Sequence, residues 1–179
     1  MSVQTSMMTA PVPVIETDRL ILRAPRLGDL EAMVDFYASD RAHFVGGPCS
    51  RFDAWNRLTS SIGHWVVRGY GMWMIEVKAT RQPAGRVGIL NHDGWPEPEL
   101  GWHVFNGFEG QGIAHEAALA ARKAARELFR LHPVISLIVP ENTRSRALAE
   151  RLGAKVEREG EVLGHACLVY RHPAEEVSA

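Results

Sequence analysis

The residues best suited to chemistry in this chain lie in the stretch EGQGIAHEA, Glu109 to Ala117. Gly110 and Gly112 come directly before an alanine-rich run of helical character. A helix start leaves up to four backbone N–H groups without intrahelical partners and carries about half a positive charge, so it attracts anions. Glycine lets a phosphate reach those groups because no side chain intervenes, and Ala114 comes near the same condition. Two phosphate-binding patterns fit poorly. A Walker loop needs Gly-Lys-Ser/Thr, and GQGIAHE supplies neither the lysine nor the hydroxyl. A dinucleotide fingerprint needs a third glycine where His115 stands and an acid roughly 20 residues on, whereas Glu141 comes about ten residues late. The glycines also fit a plain turn from strand to helix, so their meaning depends on the surrounding elements.

Periodicity supplies those elements. IETDRLILR, Ile15 to Arg23, reads as one strand, and RLGDLEAMVDFYAS as a helix with Leu27, Leu30, Val34 and Tyr37 on one face. After the break at Gly46, Gly47 and Pro48, RFDAWNRLTSSIGHWVVRG forms a second helix ending at Gly69, with Gly63 a weak point inside it. GMWMIEVKAT, GRVGILNHD and ELGWHVF read as an antiparallel meander. AHEAALAARKAARELFR is rich in helix formers, and HPVISLIVP is apolar enough for a strand buried on both faces. TRSRALAERLGA is a helix stopped at Gly153, and AKVEREGEVLGHACLVYRH closes as two strands. The order βααβββαβαββ predicts an α+β domain with a mixed, mostly antiparallel sheet over residues 14–173. Residues 1–13 are expected to be a flexible lead-in and 174–179 a tail.

Composition narrows the function. A chain of 179 residues, 46% hydrophobic, suits one domain. Twenty Lys and Arg against 21 Asp and Glu, with no basic block, argue against nucleic acid as a partner. Cys49 and Cys167 form neither a paired metal motif nor a disulfide framework, which points to a reducing cytoplasm. Cys167, on a terminal strand, reads as a small buried hydrophobe. No apolar run reaches the ~18 residues of a membrane span, so no membrane partner is expected. The eight histidines show no His-x-x-x-His spacing and there is no Gly-x-Ser-x-Gly elbow, so metal and serine-hydrolase chemistry are not expected. His43 reads as a surface loop residue.

LGWHVFNGFEGQGIAHEA and VPENTRSRALAERLGA, with RLILR near the start, resemble the GNAT acyltransferase superfamily. The likeness is to the branch that includes ribosomal-protein N-terminal acetyltransferases, and it runs from Ile15 to Arg171. It implies a twisted GNAT-like sheet flanked by helices, and acetyl-CoA as co-substrate. The family's phosphate loop, Arg/Gln-x-x-Gly-x-Gly/Ala, falls on Glu109, Gly112 and Ala114. The last two match. Glu109 departs, which leaves the backbone of Gly110, Gln111, Gly112, Ile113 and Ala114 to hold the pyrophosphate. Asn142, after the buried strand, would bond the pantetheine or phosphate end, or cap the helix it precedes. Trp102, His103 and Val104, on a strand that parts from its parallel neighbour, would lend backbone groups to the pantetheine arm.

Transfer of an acyl group from a thioester to an amine needs a deprotonated nucleophile, a donor to the thioester oxygen and a proton for the departing thiolate. The resemblance assigns the base to Glu99, whose plainer reading is a solvated residue of the PEPE turn. It places the oxygen's donor at the amide of residue 103 or 104. Many relatives use a tyrosine as the thiolate's proton donor where this chain has Ala149. Ser145 takes that role here, with Tyr170, water, or a merely structural Ser145 as alternatives. The acceptor would be a primary amine, of a small molecule or a protein N-terminus, framed by AHFVGGPCS and EGEVLGHA. Phe44, Trp55, Trp65 and Trp95 would form core and rim around its mouth. The resemblance also allows a homodimer. Two rival readings are a CoA-binding sensor or scaffold without turnover, which suits the absent tyrosine and Glu109, and a nicotinamide-binding protein.

Overall fold

The computed structural model describes residues 11–174. The stretch read as one opening strand is two: β1 (Ile15–Glu16) and β2 (Leu20–Arg23) pair antiparallel. Between them Thr17 folds the chain back, its hydroxyl accepting from Leu20 N at 3.0 Å, so the order gains a short first strand. Helix α1 (Leu30–Tyr37) starts later than its periodicity suggests. The cause is Asp29, which accepts from Arg26 N at 2.8 Å and pairs with Arg23 at 2.7 Å, winding residues 27–29 into a 3-10 turn. Leu27 is left 67% exposed, and Met33 and Phe36 take the core positions beside Leu30 and Tyr37. Helix α2 (Arg51–Arg68) opens on a capping box between Ser50 and Asp53 and stops at Gly69 in the left-handed region.

Strands β3 (Met72–Val77), β4 (Pro83–Leu90) and β5 (Glu99–Val104) form the expected antiparallel meander. Helix α3 (Ile113–Phe129) crosses to β6 (Ile135–Ile138), α4 (Thr143–Arg151) follows, and β7 (Lys155–Val162) and β8 (His165–Arg171) close the chain as a hairpin. The eight strands run in the order β1-β2-β3-β4-β5-β6-β8-β7. Strand alternation puts a core layer on each face of the sheet, and a third, smaller cluster of Ile138, Ala149, Ala154 and Tyr170 lies by α4. Trp73, Ile75, Val87, Ile89 and Leu100 pack with α3, while Met74 packs with α1 and α2. The last residues of the expected lead-in join the first of these layers, since Val12 packs on it and Trp73 donates to Pro13 O at 2.7 Å. The rest of that lead-in, residues 1–10, and residues 175–179 of the tail lie outside the described residues.

The sheet opens at one place. β5 and β6, the parallel pair, share a single register position, Glu99 with Ile135. One residue on, Ser136 Oγ donates to Leu100 O at 2.6 Å in place of a backbone amide. His172, 1% exposed, sits 2.9 Å from that hydroxyl and 3.4 Å from Arg122 Nη1. The Ser136 hydrogen is spent on Leu100, so His172 donates through Nε2 and accepts from Arg122 through Nδ1, which requires the neutral ring. Ser136→Ala strands the Leu100 carbonyl and leaves His172 Nε2 without its acceptor, and is expected to cost about 1–3 kcal/mol, read as a lower urea midpoint at unchanged slope.

Acid acts on the same group. Burial, and then the charge of Arg122, hold His172 down at about 3, against 6.5 for an ordinary histidine. Between those values the unfolded chain binds the proton and the folded chain does not. The stability this gives is complete above pH 6.5 and is lost as pH falls, by up to about 1.4 kcal/mol per pH unit. His103, also held at about 3, acts with the same sign. Glu99, raised by burial, acts with the opposite sign above the ordinary glutamate value. Thermal unfolding followed from pH 7 to pH 5 is expected to show a falling midpoint.

Candidate active site

The loop from β5 to α3 carries no obstruction over its amides. Gly110 and Gly112 adopt φ of 70° and 76°, and a Cβ at Gly110 would meet nothing within 4 Å. Gly112 is the N-cap of α3 and offers no side-chain cap, so the N–H groups of the first turn have no capping acceptor. Ile113 sends its side chain into the core while Ala114 is half-buried, and the Gln111 side chain turns back to Gly107 O at 2.9 Å. Arg19 clamps the loop from outside. It donates to Gln111 O at 2.9 Å and to Glu116 at 2.7 Å, and Glu116 also accepts from Thr17 at 2.5 Å. Glu109 makes an ion pair with Arg41. Its own backbone amide, and then Arg41, keep that carboxylate below the usual range.

Beyond Glu99, alternate peptide groups of β5 face the opening. Pro98 O accepts from Ile135 N, Leu100 O from Ser136 and Val104 O from Arg41, whereas Phe105 N donates to Ala84 O on the β4 side. The His103 carbonyl also faces β4, lying 2.1 Å from where a Gly85 Cβ would stand. Of the three residues expected to lend backbone to the opening, Trp102 and Val104 are so placed and His103 is not. The register with β4 reverses its peptide. The His103 ring instead faces α1, 3.2 Å from Tyr37 OH. The Trp102 indole spans the gap and donates to Ser145 Oγ at 3.3 Å. Asn142 caps α4, its Oδ1 accepting from Ser145 N at 3.2 Å. Strand and helix are thus joined across the mouth of the split.

Glu99 is half-buried at the closed end of the gap, where Trp95 donates to Oε2 at 2.7 Å and Leu137 N to Oε1 at 3.4 Å. Burial raises its pKa and these two bonds oppose the rise, with no cation paired to it among the described residues. That is the environment of a proton acceptor tuned towards neutrality. Tyr170 OH lies between Arg146 and Glu150, at 3.2 Å from each, and the residue is fully buried. Cys167 is buried, with its thiol pushed up by burial and then by Glu99.

On the α1–α2 side of the sheet lies a pocket of about 560 Å³, whose lining includes Tyr37, Cys49, Arg57, Arg86, His92 and His103. Leu90, the register partner of Glu99, also lines it, and Trp95 packs on His92 at 4.8 Å, so the carboxylate adjoins its edge. The expected AHFVGGPCS segment contributes Gly46 and Cys49. Trp65, expected at core or rim, is core: it is 1% exposed and donates to Met72 O. Sequence reading missed Arg57, Arg86 and Tyr37. One signal was there to read: Arg86 is the only charged residue in the apolar run GRVGIL.

The sequence matches the acetyltransferase (GNAT) domain family over residues 19–155. This chain belongs to the GNAT family. An acetyltransferase from Agrobacterium tumefaciens str. C58 is 35% identical over 95% of this chain and 99% of its own, with a TM-score of 0.85. A GNAT-family acetyltransferase from Bacillus anthracis is 24% identical, with coverage of 89% and 96% and a TM-score of 0.74. RimL, a ribosomal alpha-N-protein acetyltransferase solved in complex with coenzyme A, shares the fold at 19% identity and a TM-score of 0.73, over 89% of this chain and 97% of its own. The GNAT chain is therefore an acyltransferase with a mostly antiparallel sheet, and among its described residues no helix is long and apolar enough to cross a membrane.

Proposed function

We propose that this GNAT enzyme transfers an acetyl group from acetyl-CoA to a primary amine by direct attack in a ternary complex. The observation that carries the reading is the gap between β5 and β6, which runs from Glu99 to the uncapped start of α3. The pyrophosphate is held by amides from Gly110 to Ala114, and the pantetheine arm lies along β5 against the outward peptide groups of Trp102 and Val104. Glu99 takes a proton from the acceptor ammonium, directly or through one water. The amine nitrogen then bonds to the thioester carbon, and the amide of Val104, the one of the two expected donors that faces the gap, stabilises the oxygen as charge builds on it. When the carbon–sulfur bond breaks, Ser145 gives its hydroxyl proton to the thiolate and recovers one, relayed by water, from the attacking nitrogen as that nitrogen becomes the amide. Its Oγ already accepts from Trp102, so its own hydrogen is left to donate.

Thiol release from acetyl-CoA, measured across a panel of primary amines, tests the proposal. Amine-dependent release supports it. Tight CoA binding with no release across the panel supports the sensor reading instead.

A further inference from the structure

The lining of the pocket beside Glu99 holds two guanidinium groups that make no ion pair among the described residues, although Asp53 lies within electrostatic reach of Arg57. Arg86, 5% exposed, has only neutral hydroxyl partners, Ser61 Oγ at 2.8 Å and Tyr37 OH at 3.4 Å. Arg57 donates to the carbonyls of Val45 and Gly46, and its buried Nε has no acceptor. Its Cζ lies 4.7 Å from the centre of the Tyr37 ring, so both cations bear on one tyrosine. Neither makes an ion pair among the described residues, whereas Arg19, Arg23 and Arg41 all do. A buried cation without a counter-ion is costly, and it persists where an anion completes it in the working state.

We infer that the acceptor amine carries a carboxylate, and that Arg57 and Arg86 receive it in this pocket. The inference rests on the acetyltransferase reading above and gives its acceptor a chemical class. The charge count selects a monoanion. The acid in the lining, Asp53, is engaged by Ser50 at 2.6 Å and offsets one of the two cations. The three lining histidines, His64, His92 and His103, are all pushed down, foremost by burial, and stay neutral at pH 7. One net positive charge is left over in the lining for the acceptor's carboxylate, while Glu99 at its edge answers the acceptor's ammonium. A polyamine would meet repulsion there.

The test is a matched acceptor panel, with each amine offered as the free amino acid, its carboxamide and its decarboxylated form, and kcat/KM read from thiol release. The acids are expected to be preferred by about tenfold to a hundredfold, the range of a hydrogen-bonded charge pair. Arg57→Gln and Arg86→Gln are each expected to bring that ratio towards one. Arg57 is only half-buried, so its variant remains informative where the Arg86 variant does not fold. As a second readout, with CoA bound, the N-acetylated acids raise the melting temperature and their amides do not. Equal rates for acids and amides, an acid preference that survives Arg57→Gln, or equal melting shifts overturn the inference and leave acetyl transfer standing. Failure of acetyl-CoA to bind in calorimetry overturns the reading beneath it instead.

Discussion

Glutamine at position 99 is expected to lower kcat/KM for amine acetylation by about 10²–10⁴ at neutral pH, the usual worth of a positioned general base. The substitution preserves shape and an acceptor oxygen for Trp95 or Leu137, and it removes a carboxylate that no cation among the described residues balances, so the fold and acetyl-CoA binding are expected to persist. The wild-type profile carries the sign of the assignment. A base works only when ionised, and burial raises this one, so the rate climbs as pH rises through a value above the 4.5 of an ordinary glutamate. That limb disappears in Glu99→Gln. Equal rates for the two proteins at neutral pH would remove Glu99 from the mechanism.

The second large effect lies in binding. Gly112→Val places a β-branched side chain at φ of 76°, a backbone region such residues avoid, and directs it towards Arg19 Nη2, 3.4 Å from the added Cβ. The strain and the altered loop are expected to weaken CoA by about tenfold to a hundredfold in calorimetry, since displaced donors forfeit charge-assisted hydrogen bonds. The two substitutions separate cleanly. One loses turnover and keeps the donor, and the other loses the donor. CoA affinity unchanged by Gly112→Val would move the pyrophosphate away from the loop.

Local features of this chain were legible in its sequence because local physics sets them. Gly110 and Gly112 declare positive φ, Gly69 and Gly153 end helices, and a change of period marks the passage from helices to meander. Errors arose where a contact outside the periodic pattern decides. Leu27 fits the helical face, but Arg23 captures Asp29 and delays the helix. His103 has the right place in sequence to face the gap, yet its peptide direction is fixed by register with β4. Arg57 and Arg86 stand 29 positions apart in the chain, and only Tyr37 between α1 and the sheet reveals that they share a wall. Glu109, which departs from the family pattern, is explained by Arg41, another contact that spacing does not show.

The opened sheet has a mechanical consequence. β1 through β5 form one leaf and β6, β8 and β7 another, joined in the sheet at a single register position. On the proposed reading, a thioester arm inserted between them would act as a missing ladder, so the donor would also be a fastener. Binding it would then raise resistance to unfolding before any amine arrives, which a melting temperature that climbs with CoA concentration alone would register.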